Sequence, residues 1–159
     1  MSEFVFEAAD ELATDRLGAS LAQVLPAGTT IALIGTLGAG KTRLVQAIAA
    51  ASQISRADVV SPTFVLCQHY HGSREINHLD AYRLRDEDEF RELGGEELLA
   101  TDALTFIEWA DRIADALPDD RIEVEIAAIG QTARRFTVRA IGSRLQSVIV
   151  QLASDASHQ

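Results

Sequence analysis

The spacing of apolar residues changes several times along the chain, and each change marks an element. Phe4-Val5-Phe6 reads as a short strand. Behind Asp10, a good helix cap, Leu12, Leu17, Leu21 and Leu25 recur at helical spacing and predict a helix whose Leu/Ala stripe packs in the core. Pro26-Ala27-Gly28 ends it before an unbroken apolar run, Thr30-Ile31-Ala32-Leu33-Ile34, that reads as a central strand. Leu44, Val45, Ile48 and Ala49 then restore the helical period as far as about Gln53. An extended segment, 59–64, is broken by Pro62 and feeds a strand at 64–70, and His71-Gly72-Ser73 is a hairpin turn into a strand at 75–82. Beyond lie an acidic helix at 86–93, Gly94-Gly95, a short helix at 96–100, a buried strand Leu104-Thr105-Phe106-Ile107 and a short helix at 111–116. After Pro118, residues 121–126 and 135–141 alternate as a hairpin, whereas 145–152 fit helix and strand equally well.

Between the central strand and its helix stands Gly35-Thr36-Leu37-Gly38-Ala39-Gly40-Lys41-Thr42, the G-x-x-x-x-G-K-[ST] pattern in its strand–loop–helix setting. Such glycines let backbone N–H groups wrap a polyphosphate closely, and the following helix N-terminus adds positive field. The loop residues Gly35, Leu37, Gly38, Ala39, Gly40, Lys41 and Thr42 are therefore nucleotide-binding candidates. Lys41, expected to be exposed at the loop's mouth, reaches the β/γ-phosphates, and the Thr42 hydroxyl is placed for Mg²⁺. Strands interleaved with helices, plus a neighbouring antiparallel pair, predict an α/β protein. Its fold is a three-layer P-loop NTPase-like one, with a mixed, mainly parallel central sheet and antiparallel strand pairs.

Composition narrows the class. The 159 residues, 47% of them hydrophobic, suit one domain, 1–153, followed by a frayed tail, 154–159. No window approaches the roughly 18–20 apolar residues of a membrane span, and Met1-Ser2-Glu3-Phe4 lacks the basic start of a leader. A single cysteine, Cys67, rules out an internal disulfide framework and fits a reducing, cytoplasmic setting. The net charge of −10 argues against autonomous nucleic-acid binding. Positive density is confined to Arg83/Arg85 and to Arg134, Arg135, Arg139 and Arg144, which read as solvated faces.

A P-loop needs carboxylates near the γ-phosphate, delivered at the C-terminal ends of strands parallel to its own. Asp80 and Glu108 close two candidate strands, and the more apolar strand makes Glu108 the better metal ligand. Ser61-Pro62-Thr63 sets hydroxyls on a constrained loop where nucleotide-responsive segments lie in many NTPases; on spacing alone a strand entry stopped by proline is the favoured reading. His69-x-His71 and His78-x-Asp80 have the spacing of paired zinc ligands on one strand face, without further clustered ligands to complete a site. Cys67 reads as a small packed hydrophobe.

Taken together, the P-loop, Ser61-Pro62-Thr63-Phe64, His78-x-Asp80-x-Tyr82-Arg83-Leu84 and Glu108-Trp109 resemble the bacterial TsaE (YjeE) ATPases over roughly residues 3 to 145. The resemblance implies an ATPase with Mg²⁺ that works with TsaB and TsaD. That pair attaches threonylcarbamoyl to adenosine 37 of ANN-decoding tRNAs, and tRNA is met only through the complex. It further implies that Thr42 and Glu108 hold Mg²⁺, Lys41 binds phosphate, Asp80 serves catalysis, and Trp109 lies beside the nucleotide or the partner. Thr63 and Arg134 join the nucleotide-contact candidates. The chain departs from the family pattern at Thr36, commonly Asp, and at Arg43, commonly Thr; Arg43 is expected only to change local charge.

Two other classes remain open. A small-molecule or nucleoside kinase needs an arginine-bearing lid, for which Arg83, Arg134 and Arg135 are the candidates. A non-hydrolysing nucleotide switch would move residues 61–64 and keep Asp80 structural. No Asn-Lys-x-Asp occurs, so ATP is the default nucleotide.

Overall fold

The computed structural model describes residues 2–36, 39–60 and 67–157. Leu37, Gly38 and the run Ser61-Pro62-Thr63-Phe64 lie outside them, and so do the expectations attached to those residues.

Among the described residues, seven strands form one sheet: β1 (Ser2–Ala8), β2 (Thr30–Ile34), β3 (Cys67–His71), β4 (Glu75–Asp80), β5 (Leu104–Glu108), β6 (Arg121–Ala128) and β7 (Arg134–Ile141). Their order is β1-β7-β6-β2-β5-β4-β3. β6, β2, β5 and β4 run parallel at the centre, while β3 pairs antiparallel with β4, and β7 with both β6 and β1. The mixed sheet expected from the sequence is the one observed. Parallel pairing puts the C-terminal ends of β2, β4 and β5 at one edge, and register sets Asp80 opposite Glu108.

Helices cover both faces. Among the described residues five are α-helices: α1 (Glu11–Val24), α2 (Lys41–Ala51), α3 (Glu87–Glu92), α4 (Gly95–Leu99) and α5 (Gln146–Ser157). Leu17 and Leu21 of α1, Leu44, Val45 and Ile48 of α2, and Val148, Ile149 and Leu152 of α5 pack with Ile31, Leu33, Phe106, Val124 and Phe136 of the sheet. On the opposite face Ala32, Leu79 and Ile107 meet Phe90 of α3 and the 3-10 residues Ala110 and Ile113. Alternation along β2 and β5 decides which side chain serves which layer. Among the described residues no helix is long and apolar enough to cross a membrane.

Local chemistry explains the element ends. Asp10 caps α1 by accepting from the Ala13 amide at 2.9 Å. Asp80 stops β4 two residues before the expected end at 82, because its Oδ1 accepts from the Tyr82 N–H at 2.8 Å and turns the chain. His71, expected in the turn, still pairs with Glu75 in the β3–β4 ladder. The expected helix at 111–116 is a 3-10 segment, Ala110–Ala116, kinked at Ile113. Leu12 does not join the core stripe; it is 68% exposed, since α1 turns Ala13 and Leu17 inward instead. The ambiguous stretch at 145–152 is helical, with Val148, Ile149 and Leu152 buried on one side. That helix continues to Ser157, whose hydroxyl donates to the Ala153 carbonyl at 3.0 Å, into the stretch expected as tail from residue 154.

Candidate nucleotide site at the end of the central strand

Gly40 is the residue before α2 and has φ 110°, a conformation costly to any residue with a Cβ, so the last loop glycine is conformationally required. Ala39 is buried, and its carbonyl accepts from Arg134 Nε at 3.0 Å. Arg134 Nη1 also donates to the carbonyls of Ala133 (2.9 Å) and Gly130 (3.2 Å). The first residue of β7 thus buttresses the loop. Arg134 is not part of a solvated basic face; its planar guanidinium ties the loop to the β6–β7 turn.

Lys41 departs from its expected exposure and is 7% exposed. Its Nζ donates to the carbonyls of Gly35 at 2.7 Å and Thr36 at 3.3 Å and lies 4.9 Å from the Trp109 ring centroid. Buried ammonium groups need such partners, and loop carbonyls and an indole face provide them. Trp109 follows β5 in the left-handed conformation (φ 59°), uncommon for a bulky residue, which turns its ring across Lys41. Tyr82 stands 5.1 Å from that ring, and the Arg112 guanidinium lies 5.1 Å from Tyr82.

Glu108, 4% exposed, ends β5 beside α2. Its Oε2 accepts from Thr42 Oγ1 at 3.2 Å and from His78 Nε2 at 2.6 Å. Two hydrogen-bond donors thus meet on one buried carboxylate oxygen. Asp80 differs. Burial pushes its carboxyl above the ordinary value and the charge of Glu108 adds to that, against the Tyr82 N–H, His78 and Lys41, which act the other way. The two acids named from the sequence therefore converge on the loop in unequal environments. A cleft of about 250 Å³ adjoins the loop, lined by Glu11, Thr14, Gly40, Arg43, Thr132 and Arg134 among others.

Arg43 does more than alter local charge. Its Nη2 pairs with Asp15 at 2.7 Å and its Nε with Glu11 at 3.5 Å, joining α2 to α1. The histidines weighed as zinc ligands go elsewhere: His69 Nδ1 contacts Asn77, His71 contacts Glu75, and His78 contacts Glu108. Cys67 packs against the second core cluster, and burial pushes its thiol up to about 11, which suits a packed hydrophobe and not a nucleophile. The residue missed by sequence reasoning is His78. Its signal was present, because His78 and Asp80 share a strand face and Asp80 pairs in register with Glu108.

A parallel sheet centre, a glycine-bent loop closing on a helix N-terminus, and acids from the next two strands define a P-loop protein of the nucleotide-binding class. Residues 8–136 match the family described as threonylcarbamoyl adenosine biosynthesis protein TsaE. The chain is 33% identical over 125 residues to the tRNA threonylcarbamoyladenosine biosynthesis protein TsaE of Treponema pallidum, covering 79% of this chain and 92% of that one. It is 35% identical over 127 residues to the Bacillus subtilis protein of the same name, covering 79% and 78% respectively. The crystal structure of Bacillus subtilis YdiB superposes with a TM-score of 0.78 at 23% identity, covering 98% of this chain and 97% of that one, a likeness of fold. The chain belongs to the TsaE family.

Proposed function

We propose that the chain is a Mg²⁺-dependent ATPase required for threonylcarbamoyl modification of adenosine 37 in ANN-decoding tRNAs, acting in the cytoplasm through TsaB and TsaD. Family membership supports the pathway. The observation that carries the chemistry is the Thr42–Glu108 contact, a hydroxyl at a helix N-terminus held on a buried carboxylate beside a P-loop. Oxygen ligands of this kind suit Mg²⁺, so Thr42 and Glu108 would hold it. Held there, Mg²⁺ would supply charge neutralisation for the phosphates during transfer.

The chain's own residues do the rest. Lys41 exchanges its carbonyl partners for phosphate oxygens, a stronger charge-assisted contact. The cleft beside Gly40, Thr132 and Arg134 takes the nucleoside. Asp80, whose proton affinity is raised, orients the attacking water and accepts its proton. Arg134 is engaged with carbonyls of Ala39, Gly130 and Ala133, so it shapes the loop, and the cation on the transferring phosphate comes from a partner protein. Turnover is therefore slow in the isolated chain.

The test follows ATP binding through Trp109, the one tryptophan, and phosphate release with and without TsaB and TsaD. Lys41→Ala should weaken ATP binding by about a hundredfold, near the ~3 kcal/mol upper range for a hydrogen bond to a charged group. Wild-type titration by that variant would end the nucleotide reading. Phosphate transfer that needs a small-molecule acceptor would indicate a kinase, and binding without release even alongside both partners would indicate a switch.

A further inference from the structure

His78 is fully buried, and its Nε2 lies 2.6 Å from Glu108 Oε2. A carboxylate has no proton to give, so Nε2 must carry the hydrogen and donate it. The other nitrogen, Nδ1, is buried and has no hydrogen-bond partner among the described residues. A ring wedged in the core, with one polar atom satisfied and the other bare, is an expensive choice for packing alone. Tyr70 stands against the ring at 6.3 Å, and the β4–β5 register fixes its height, so the imidazole is aimed at the carboxylate from the strand behind it. Thr42 reaches the same oxygen from α2. Glu108 Oε2 is thus pinned from two directions, by a helix and by a strand.

We propose that His78 is the positioning residue for Glu108: its Nε2–H locks the carboxylate against rotation so that the group meets Mg²⁺ in one orientation. This rests on the reading of Glu108 as a metal ligand. Hydrogen-bonded supports behind metal ligands typically contribute about 10- to 100-fold in metal affinity. The expected signature is therefore confined to the metal.

The experiment titrates Mg²⁺ into protein with ATP, following Trp109 fluorescence, and separately titrates ATP without metal. His78→Phe should raise the half-saturating Mg²⁺ concentration about tenfold or more and leave metal-free ATP affinity nearly unchanged. His78→Gln, which restores an N–H donor, should recover most of the loss. Glu108→Gln serves as the reference. If it leaves the Mg²⁺ dependence unchanged, Glu108 is not a metal ligand and the underlying reading fails. If it shifts that dependence while His78→Phe does not, the positioning role alone is overturned. Equal losses with and without metal in His78→Phe, not recovered by Gln, would also overturn it in favour of a packing role. Nitrogen NMR of the wild-type imidazole keeps the proposal open to refutation even if the variants fail to fold: a proton on Nε2 is expected, and its absence would refute the proposal.

Discussion

Lys41 and Asp80 show two different settings for a charged side chain at the site. Lys41 is buried, and its ammonium is held by two carbonyls and an indole face. Asp80 sits where burial and the neighbouring Glu108 both disfavour its charge. A carboxyl whose pKa rises on folding stabilises the fold only while protonated. That contribution is complete below the ordinary value of 3.8 and is lost as pH rises through the folded-state value. At neutral pH the ionised Asp80 therefore weighs against folding. Asp80→Asn, which keeps an oxygen for the Tyr82 N–H, is expected to make the metal-free protein more stable near neutrality and to leave it unchanged in acid. Urea unfolding at both pH values checks this; a loss of stability near neutrality would contradict the assigned shift. If Asp80 orients the attacking water as proposed, the same variant should bind ATP nearly as the wild type does and hydrolyse it more slowly, since water positioning matters mainly in the transition state. Both acids were legible in the sequence because each closes a strand, and strand ends in parallel sheets face ligands. The burial of Lys41 and the grip of Arg134 on Ala39 were not, because the first depends on where Trp109 turns its ring and the second on how the β6–β7 turn comes back to the loop.

At the scale of elements, the P-loop is held by how α1 and α2 meet. Gly18 of α1 lies so close to α2 that a Cβ would come within 2.8 Å of the Ala47 carbonyl carbon and 2.4 Å of its Cβ. The Arg43 ion pairs with Asp15 and Glu11 join the same two helices at their loop-proximal ends. Gly18→Ala must push α2 outward, and overpacking of this kind costs ~1–3 kcal/mol. For a chain of this size that is a melting-temperature loss of about 2–4 °C per kcal/mol, in spite of alanine's better helix propensity. A thermal scan with no loss would mean that the two helices pack less tightly than described. Helix α1 was readable from its cap and period, but Gly18 carries no periodic signal, since only the partner helix reveals why a side chain is missing there. Helix α5 was ambiguous for a related reason. Leu145, Val148, Ile149 and Leu152 follow the helical period, but Val148, Val150 and Leu152 also alternate, and the choice is made only when β1 and β7 present the apolar face the helix covers.

Across the whole molecule, the fold pairs much of the positive charge that the sequence clusters. Arg139 bridges Glu3 at 3.3 Å and Glu125 at 2.9 Å, and Arg135 pairs with Glu7 at 3.2 Å, so these arginines bind the β1-β7-β6 strands to one another. Arg85 and Arg91 are likewise paired, with Glu89 and Glu96. A net charge of −10 then leaves the long-range field acidic, and α3 and α4 carry Glu87, Asp88, Glu92, Glu96 and Glu97. A field of that sign repels nucleic acid and draws a basic protein surface. If the chain works with TsaB and TsaD as proposed, it is expected to meet them by steered association. Two consequences follow for measurement. Association with TsaB and TsaD should slow by about tenfold or more as ionic strength rises well beyond the physiological ~0.15 M, because screening shortens the reach of the field. Charge reversal at Glu92 and Glu97, both exposed and outside the nucleotide site, should slow association at low salt and leave ATP affinity of the isolated chain intact. Stopped-flow association at low and high salt, with phosphate release recorded in parallel, measures both. Association rates that ignore salt and the reversed charges would mean that the acidic helices take no part in docking, and full phosphate release by the isolated chain would remove the need for a partner.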